Sequence, residues 1–532
     1  MKKNLLLLGA ISLFAINSSA QITIDLVKDI NPTAGSYPEN FTEYDGKLYF
    51  RANDGTNGRE LWMSDGTEAG TQMIKDIHTT GNSNPQYLTV CNGKLYFIAT
   101  DGTNGYELWV TNGTPEGTQM IKDINSTGSS NPNNLTEYNG KLYFSANDGT
   151  NGAELWVSNG TPEGTQMIKD INVTGNSYPS EFTEYDGKLY FSATDGTNGN
   201  ELWVTNGTTG GTNMVKDINT TGSSYPERFT EYNGKLYFRA DDGTNGIELW
   251  VSNGTPEGTQ MIKDINVTGD SYPSQFTEYD GKLYFNANNG TDGNELWVTN
   301  GTTAGTHLVK DINPGASQSW AGYYSGFVSL NGKLYFEADH VDYGWELWET
   351  DGTSEGTKIV IDLNPGTDNA EIRLPTLYNG EIYFIANDNT NGYELWSTNG
   401  TAAGTHKRMP EIAPNSDPLD GNSGFLVFND ALYFGANYTG VGQELYVLKD
   451  ASVSINEQAN LVKFDVFPNP SYDKVTITTE KNTSFTLLDL TGKVLKTFDV
   501  NQQGEISISE LASGIYLLKE NSTGSQTKII KQ

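Results

Sequence analysis

The chain predicts an all-β fold in two parts: a ring of about nine repeated four-stranded sheets, eight or nine blades, then a small Ig-like β-sandwich. Three observations carry this. Tryptophans recur every 47 residues at Trp62, Trp109, Trp156, Trp203, Trp250 and Trp297, then more widely as Trp348, Trp396 and a degenerate Tyr446. The Tyr of a Lys-Leu-Tyr-Phe run keeps step from Tyr49, Tyr96 and Tyr143 through to Tyr383 and Tyr433. No segment of the array has apolar residues at helical spacing, and 59 Gly with 29 Tyr suit short strands and tight turns. A fixed period of this size means units that bury their apolar faces against one another.

The elements follow in chain order. Residues 1–20 read as a secretory signal peptide: Lys2 and Lys3, an apolar run from Leu5 to Ile16, and Ser18-Ser19-Ala20 before Gln21. Leu26–Ile30 reads as a fourth strand with no unit before it. The second copy shows the repeat. Tyr87–Cys91, Lys94–Thr100, Glu107–Thr111 and Gln119–Ile124 are strands, with a two-residue turn at Asn92-Gly93. Leu95, Phe97 and Ala99 alternate with Tyr96, so both faces are apolar, as a sheet sandwiched between neighbours requires.

Four short antiparallel strands of this length describe one blade of a β-propeller. A β-solenoid is the competing reading, but its coils are shorter and lack these hairpin turns. The last unit, Phe425 to Leu448, has three strands. The stray strand at 26–30 completes it and removes an open sheet edge. Residues 22–449 are therefore expected to form one propeller, followed by a polar linker at 450–460. From 461 to 532, short β-rich runs such as Lys474–Thr478 and Ile515–Leu518 suggest the sandwich.

Two resemblances attach to these parts. The recurrent Glu-Leu-Trp-x-x-(Asp/Asn)-Gly-Thr, as in Glu60-Leu61-Trp62-Met63-Ser64-Asp65-Gly66-Thr67, resembles the ELWxxDGT repeat of secreted bacterial proteins. That resemblance implies architecture and no agreed activity. The terminal module carries Pro468-Asn469-Pro470, Gly492-Lys493, a Leu-Ala-Ser-Gly-Ile-Tyr run with Gly514 and Tyr516, and a basic tail with Lys528 and Lys531. It resembles the type A C-terminal sorting domain of the type IX secretion system of Bacteroidetes. The resemblance implies those residues as the sorting signal and the type IX machinery as partner. It also implies passage through the periplasm to the outer cell surface or medium.

Charge narrows the partners. With 66 acidic and 33 basic residues the formal net charge is −33, which disfavours nucleic acid and anionic lipid. No further apolar run has membrane-spanning length. The single cysteine, Cys91, allows no internal disulfide and reads as a buried strand residue. The chain is expected to act as a monomer.

Catalytic signatures are sparse. His78, His307, His340 and His406 share no metal-ligand spacing, and there is no P-loop, nucleophile elbow or dinucleotide motif. The turn Asn53–Gly58 invites a calcium reading, but Gly55 occupies an alternate position and no distal Glu follows, so a hairpin turn is favoured. No cofactor is expected beyond weak Ca2+ binding to an acidic surface. Glu60, Glu107, Glu154 and their equivalents recur in every unit, which suits a structural partner, a repeated Lys or a backbone amide, better than a catalytic acid.

The informative residues lie where the repeat breaks. Between Lys310 and Lys333 the chain is four residues longer than between Lys263 and Lys282. The insertion carries Trp320, Tyr323 and Tyr324, and the next turn reads Asp339-His340-Val341-Asp342-Tyr343-Gly344-Trp345. Trp320, Tyr323, Tyr324, His340, Asp342, Tyr343 and Trp345 are the candidate ligand-binding residues, suited to sugar rings or an exposed peptide. The competing reading packs them inward to seal a wider gap. The expected function is a non-catalytic recognition or adhesion scaffold for glycan or a surface protein. The alternative is a polysaccharide- or peptide-degrading enzyme with carboxylates on the loop face.

Overall fold

The computed structural model describes residues 22–390, 392–408, 418–419, 424–438, 440, 442–450, 464–467, 471–479, 482–488, 493–512, 514–521 and 526–531. The expected signal peptide, nearly all of the linker, Pro468, Asn469, Pro470 and Gly492 lie outside the described residues. The chain divides into two compact units, Ile22–Lys449 and a second that contains Asp450–Gln532.

Strand β1 (Ile22–Lys28) precedes the first blade, which comprises β2 (Glu39–Tyr44), β3 (Lys47–Asn53), β4 (Arg59–Ser64) and β5 (Gln72–Lys75), hydrogen-bonded in that order. The β2–β3 turn is Asp45-Gly46, at φ 49° and 67°. Two successive positive φ values make the primed turn whose twist matches that of the strands. Phe50 pairs with Trp62 and Trp62 with Met73, stacking large side chains across one sheet. Leu48, Phe50 and Ala52 are fully buried on one face of β3 and Tyr49 is buried on the other. Each such Leu or Phe contributes about 1.5–3 kcal/mol by leaving water.

The pattern recurs as blades 2 (86–122), 3 (133–169), 4 (180–216), 5 (227–263), 6 (274–310), 7 (328–361) and 8 (373–407). The final sheet is composite, with strand order β1, Glu444–Asp450, Ala431–Ala436, Phe425–Phe428. This makes nine four-stranded sheets among the described residues of the first unit. Each neighbouring pair shares one core. Tyr49 and Leu61 of blade 1 pack with Phe97 and Trp109 of blade 2. Tyr433 and Val447 of blade 9 pack with Val27, Ile30, Phe50 and Trp62, which returns the series to blade 1. First strands of neighbouring blades touch, including that of blade 9 and β2. Thr89, Thr136 and Thr183, from three successive first strands, line one axial cavity of about 360 Å3.

The completing strand was expected at 26–30 and lies at 22–28. Ile30 instead turns out of the sheet, and its amide donates to Glu444 Oε2 at 2.8 Å. Outer strands latch blade to blade. Lys122 Nζ donates to Thr165 O at 2.9 Å and lies 5.8 Å from the Trp156 ring centroid in the next blade.

In the second unit, Phe464–Phe467, Lys474–Thr479 and Gln503–Ser507 form one sheet. Val494–Val500, Thr483–Leu488, Gly514–Glu520 and Gln526–Lys531 form the other. Val475, Ile477, Phe485, Leu487, Leu518 and Ile529 fill the core of this sandwich.

Candidate functional site

In each blade the link to the next blade and the turn between the second and third strands emerge at the same end of the strands. A buried glutamate organises that end. Glu154 Oε2 accepts from Ile171 N and Ser177 Oγ, both at 2.7 Å, and Oε1 accepts from Ser177 N at 2.9 Å. Burial raises its pKa against these hydrogen bonds. The expected partner was a repeated Lys or a backbone amide. In blade 3 it is the amide together with the serine hydroxyl, whereas in blade 8 Lys407 pairs with Glu394. The glutamate thus fixes the interblade loop, and the residue after the serine is held left-handed, at φ 48° for Tyr178.

The five-residue turn is self-contained. Asp54 Oδ1 accepts from Thr56 N at 2.9 Å and Asn57 N at 2.7 Å, and Oδ2 accepts from Asn57 Nδ2. Burial raises the Asp54 pKa, but these bonds outweigh it and hold the group below its ordinary value.

Blade 7 departs from this plan. Its inserted loop turns back on itself through Tyr323 N to Trp320 O and Gly326 N to Gly322 O, both at 2.8 Å. Ala321 is fully buried and, with Phe327 packed beside it, joins the core shared with blade 6. The other aromatics form a row. Ring centroids are 4.7 Å apart for Trp320–Tyr323, 5.1 Å for Tyr323–Tyr324 and 5.2 Å for Tyr324–Trp345. Tyr324 is 70% exposed. His340 and Tyr343 make a second group, 4.8 Å apart, with His340 also 5.8 Å from Trp348. Asp342 is exposed, and its amide donates to His340 Nδ1 at 3.1 Å.

The aromatic row ends in a cavity of about 540 Å3 between blades 7 and 8. Tyr324 and Trp345 line it with Glu337, Asn369, Glu371, Arg373 and Leu374. Glu337 is almost fully buried and accepts from Tyr324 N at 3.0 Å. Burial pushes its carboxyl up to about 8, so it is largely protonated at neutral pH. Arg373 Nη2 lies 2.5 Å from Glu371 Oε2 and donates to Tyr393 Oη at 2.8 Å. Tyr393 in turn donates to Glu371. Burial pushes the Glu371 pKa up, but the Tyr393 and Arg373 bonds prevail and hold it below the ordinary value.

Of the sequence-derived candidates, Tyr324 and Trp345 line the cavity, Trp320 and Tyr323 join Tyr324 in the row without lining it, and His340, Asp342 and Tyr343 do not line it. Glu337, Asn369, Glu371, Arg373 and Tyr393 were not anticipated. Their signal lies in the repeat: Glu337 stands where other copies have Ser145, Ser192 or Ile98, and Ala370-Glu371-Ile372 replaces Ser-Tyr-Pro.

In the second unit, Gly514 pairs with Lys531 and Leu517 with Lys528. Tyr516 Oη donates to Ala512 O at 2.8 Å, and Lys493 is exposed.

Residues 465–532 match the secretion system C-terminal sorting domain. The protein is therefore a secreted or cell-surface protein exported by type IX secretion, with the secretion machinery as a partner. Among the described residues no helix is long and apolar enough to cross a membrane. No curated protein matches the chain.

Solved structures share the propeller-like fold. The extracellular domain of a hybrid two-component system from B. thetaiotaomicron is 13% identical, with 97% of this chain and 76% of that one covered, at a TM-score of 0.35. The β-propeller domain of the Trilobed protease from Pyrococcus furiosus is 14% identical, covering 61% and 98%, at 0.32. A puromycin hydrolase is 11% identical, covering 67% of this chain, at 0.35. The chain spans only 60% of that hydrolase. At these identities the likeness is one of fold alone. The expectation of a non-enzyme is corrected: puromycin-hydrolysing peptidases are among the structures to which this chain is similar, a likeness that assigns no activity to this chain.

Proposed function

We propose that the propeller is the working part of a type IX cargo and that it binds a neutral sugar in the cavity between blades 7 and 8. The carrying observation is the 5.2 Å pairing of Tyr324 with Trp345 beside the Glu371–Arg373–Tyr393 system. Aromatic faces pack on the C–H faces of a sugar ring, while fixed polar groups meet its hydroxyls. The ELWxxDGT-like array supplies the rigid ring that holds these groups in place. Titration calorimetry with neutral tetrasaccharides tests this. Trp345→Ala is expected to weaken binding at least tenfold, and an unchanged affinity would overturn the reading.

A second reading, cleavage of the bound glycan, draws on one observation. Two carboxyls line one cavity in opposite settings, Glu337 almost fully buried and Glu371 bonded to Arg373 and Tyr393, the division of labour an acid–base pair needs. Turnover that is lost in Glu337→Gln while binding persists would favour it. Absence of reducing-end release from every glycan that binds would sink it.

A further inference from the structure

The residue after the buried loop serine, or after Ala370 in its place, has a left-handed backbone at eight interblade loops, yet its identity follows no structural need. It is Asn84 and Asn131 at two loops, with φ 47° and 44°, the type that tolerates this region best. At Tyr37, Tyr178, Tyr225 and Tyr272 it is tyrosine, with φ between 46° and 50°. A proline follows each of these tyrosines and favours an extended backbone before it, so these positions are strained from two sides. The rings do not repay this by burial: they are 47%, 60%, 56% and 47% exposed. Two are tethered within their own loops. Tyr178 Oη accepts from Asn176 Nδ2 at 2.9 Å, and Tyr272 hydrogen-bonds Asp270. Strain kept at exposed, oriented aromatic groups points to recognition.

The order of these residues matters. Tyr178, Tyr225 and Tyr272 occupy three consecutive interblade loops, Trp320 holds the same position in the next, and Glu371 holds it in the one after. The run therefore leads from blade 3, loop by loop on one face, into the cavity that contains Glu371.

We infer that this rim is a series of subsites for one extended neutral polysaccharide whose terminal or internal unit occupies the cavity; the inference rests on the sugar reading of that cavity. Equivalent platforms at a constant repeat suit a ligand made of equivalent units, and weak contacts in series multiply through effective concentration. The net charge of −33 disfavours an anionic polymer. Pre-set rings lose little freedom on binding.

The test uses the full chain and a variant combining Tyr178→Asn, Tyr225→Asn and Tyr272→Asn. Asn84 and Asn131 already occupy this backbone, so the variant is expected to fold, and its thermal midpoint verifies that. The probes are laminarin, xyloglucan and mannan, their tetrasaccharides, alginate, and gelatin. At least one neutral polymer is expected to bind. The triple variant should bind it at least tenfold more weakly while holding its tetrasaccharide within twofold. Equal polymer binding by parent and variant would overturn the inference. So would binding confined to alginate or gelatin, or no binding at all. Trp345→Ala separates the two readings: loss of tetrasaccharide binding reports the cavity, and selective loss of polymer binding in the triple variant reports the rim.

Discussion

Blades 4 and 7 pair their two central strands in the same register, Phe191 against Trp203 and Phe336 against Trp348, yet only blade 7 borders the large cavity. At one position in the second strand, blade 4 has Ser192, hydrogen-bonded to Asn200, where blade 7 has the buried acid Glu337. The loop entering blade 4 presents Tyr178, whereas the longer loop entering blade 7 carries Trp320, Tyr323 and Tyr324, a row that Trp345 extends from a strand. The repeated glutamates and outer-strand lysines bond within a blade and to its neighbour. The few variable positions at one end of the strands are thereby free to carry chemistry.

The largest effect expected concerns what both blades share. Burial raises Glu201 and Glu248 to about 7, and Glu295 and Glu346 to about 8. A carboxyl raised in the folded state gives stability that is complete below its unfolded pKa of ~4.5 and is lost as pH rises through the folded value. Thermal unfolding should therefore show a higher midpoint at pH 5 than at pH 8.5; a profile rising toward pH 8.5 would show that ionised, hydrogen-bonded glutamates hold the loops. Next, Glu154→Ala leaves the Ile171 amide unpartnered and the Ser177 amide with Ala153 O alone, and should cost about 1–3 kcal/mol in urea unfolding.

Glu337→Gln sharpens the contrast. Glutamine resembles the protonated acid, so stability at pH 5.5 should change by less than about 1 kcal/mol. Above pH 8 the variant should be the more stable chain, because the parent must ionise a buried group. Calorimetric scans at both pH values check this. The smallest effect is Tyr225→Asn alone. Relief of a left-handed tyrosine should raise stability by about 0.5–1 kcal/mol, a gain that a purely structural tyrosine would not yield.

Strand positions were legible because period, alternation and Asn-Gly or Asp-Gly turns all point the same way. The first strand's bounds were not: Asp29 and Ile30 share its pattern, but the Ile30 amide is claimed by Glu444 at the far end of the unit. Likewise the aromatic insertion stood out as a break in the repeat, and Tyr324 and Trp345 do meet. His340 sits in the same stretch of sequence but stacks toward Trp348, since strand alternation puts it on the face opposite Asp339 and its partner Trp345, and Tyr343 in the turn stacks on His340. Glu337 escaped notice because an acid in a strand reads as solvent-facing, and Glu371 and Arg373 because charged residues in a loop and at a strand start read the same way. Only the arrangement of two blades reveals that Glu337 is buried beside an arginine and a second acid.

The bond from Ile30 to Glu444 spans 414 residues of chain. The first strand to emerge during synthesis is thus the last to find its place, since its partner strands arrive with the final blade. Blades can form one by one from local hairpins, each within microseconds to milliseconds of its own completion. The closing strand must wait for the whole array, so contact order places ring closure at the end of folding. Until then the growing protein is an open stack with one unfinished edge.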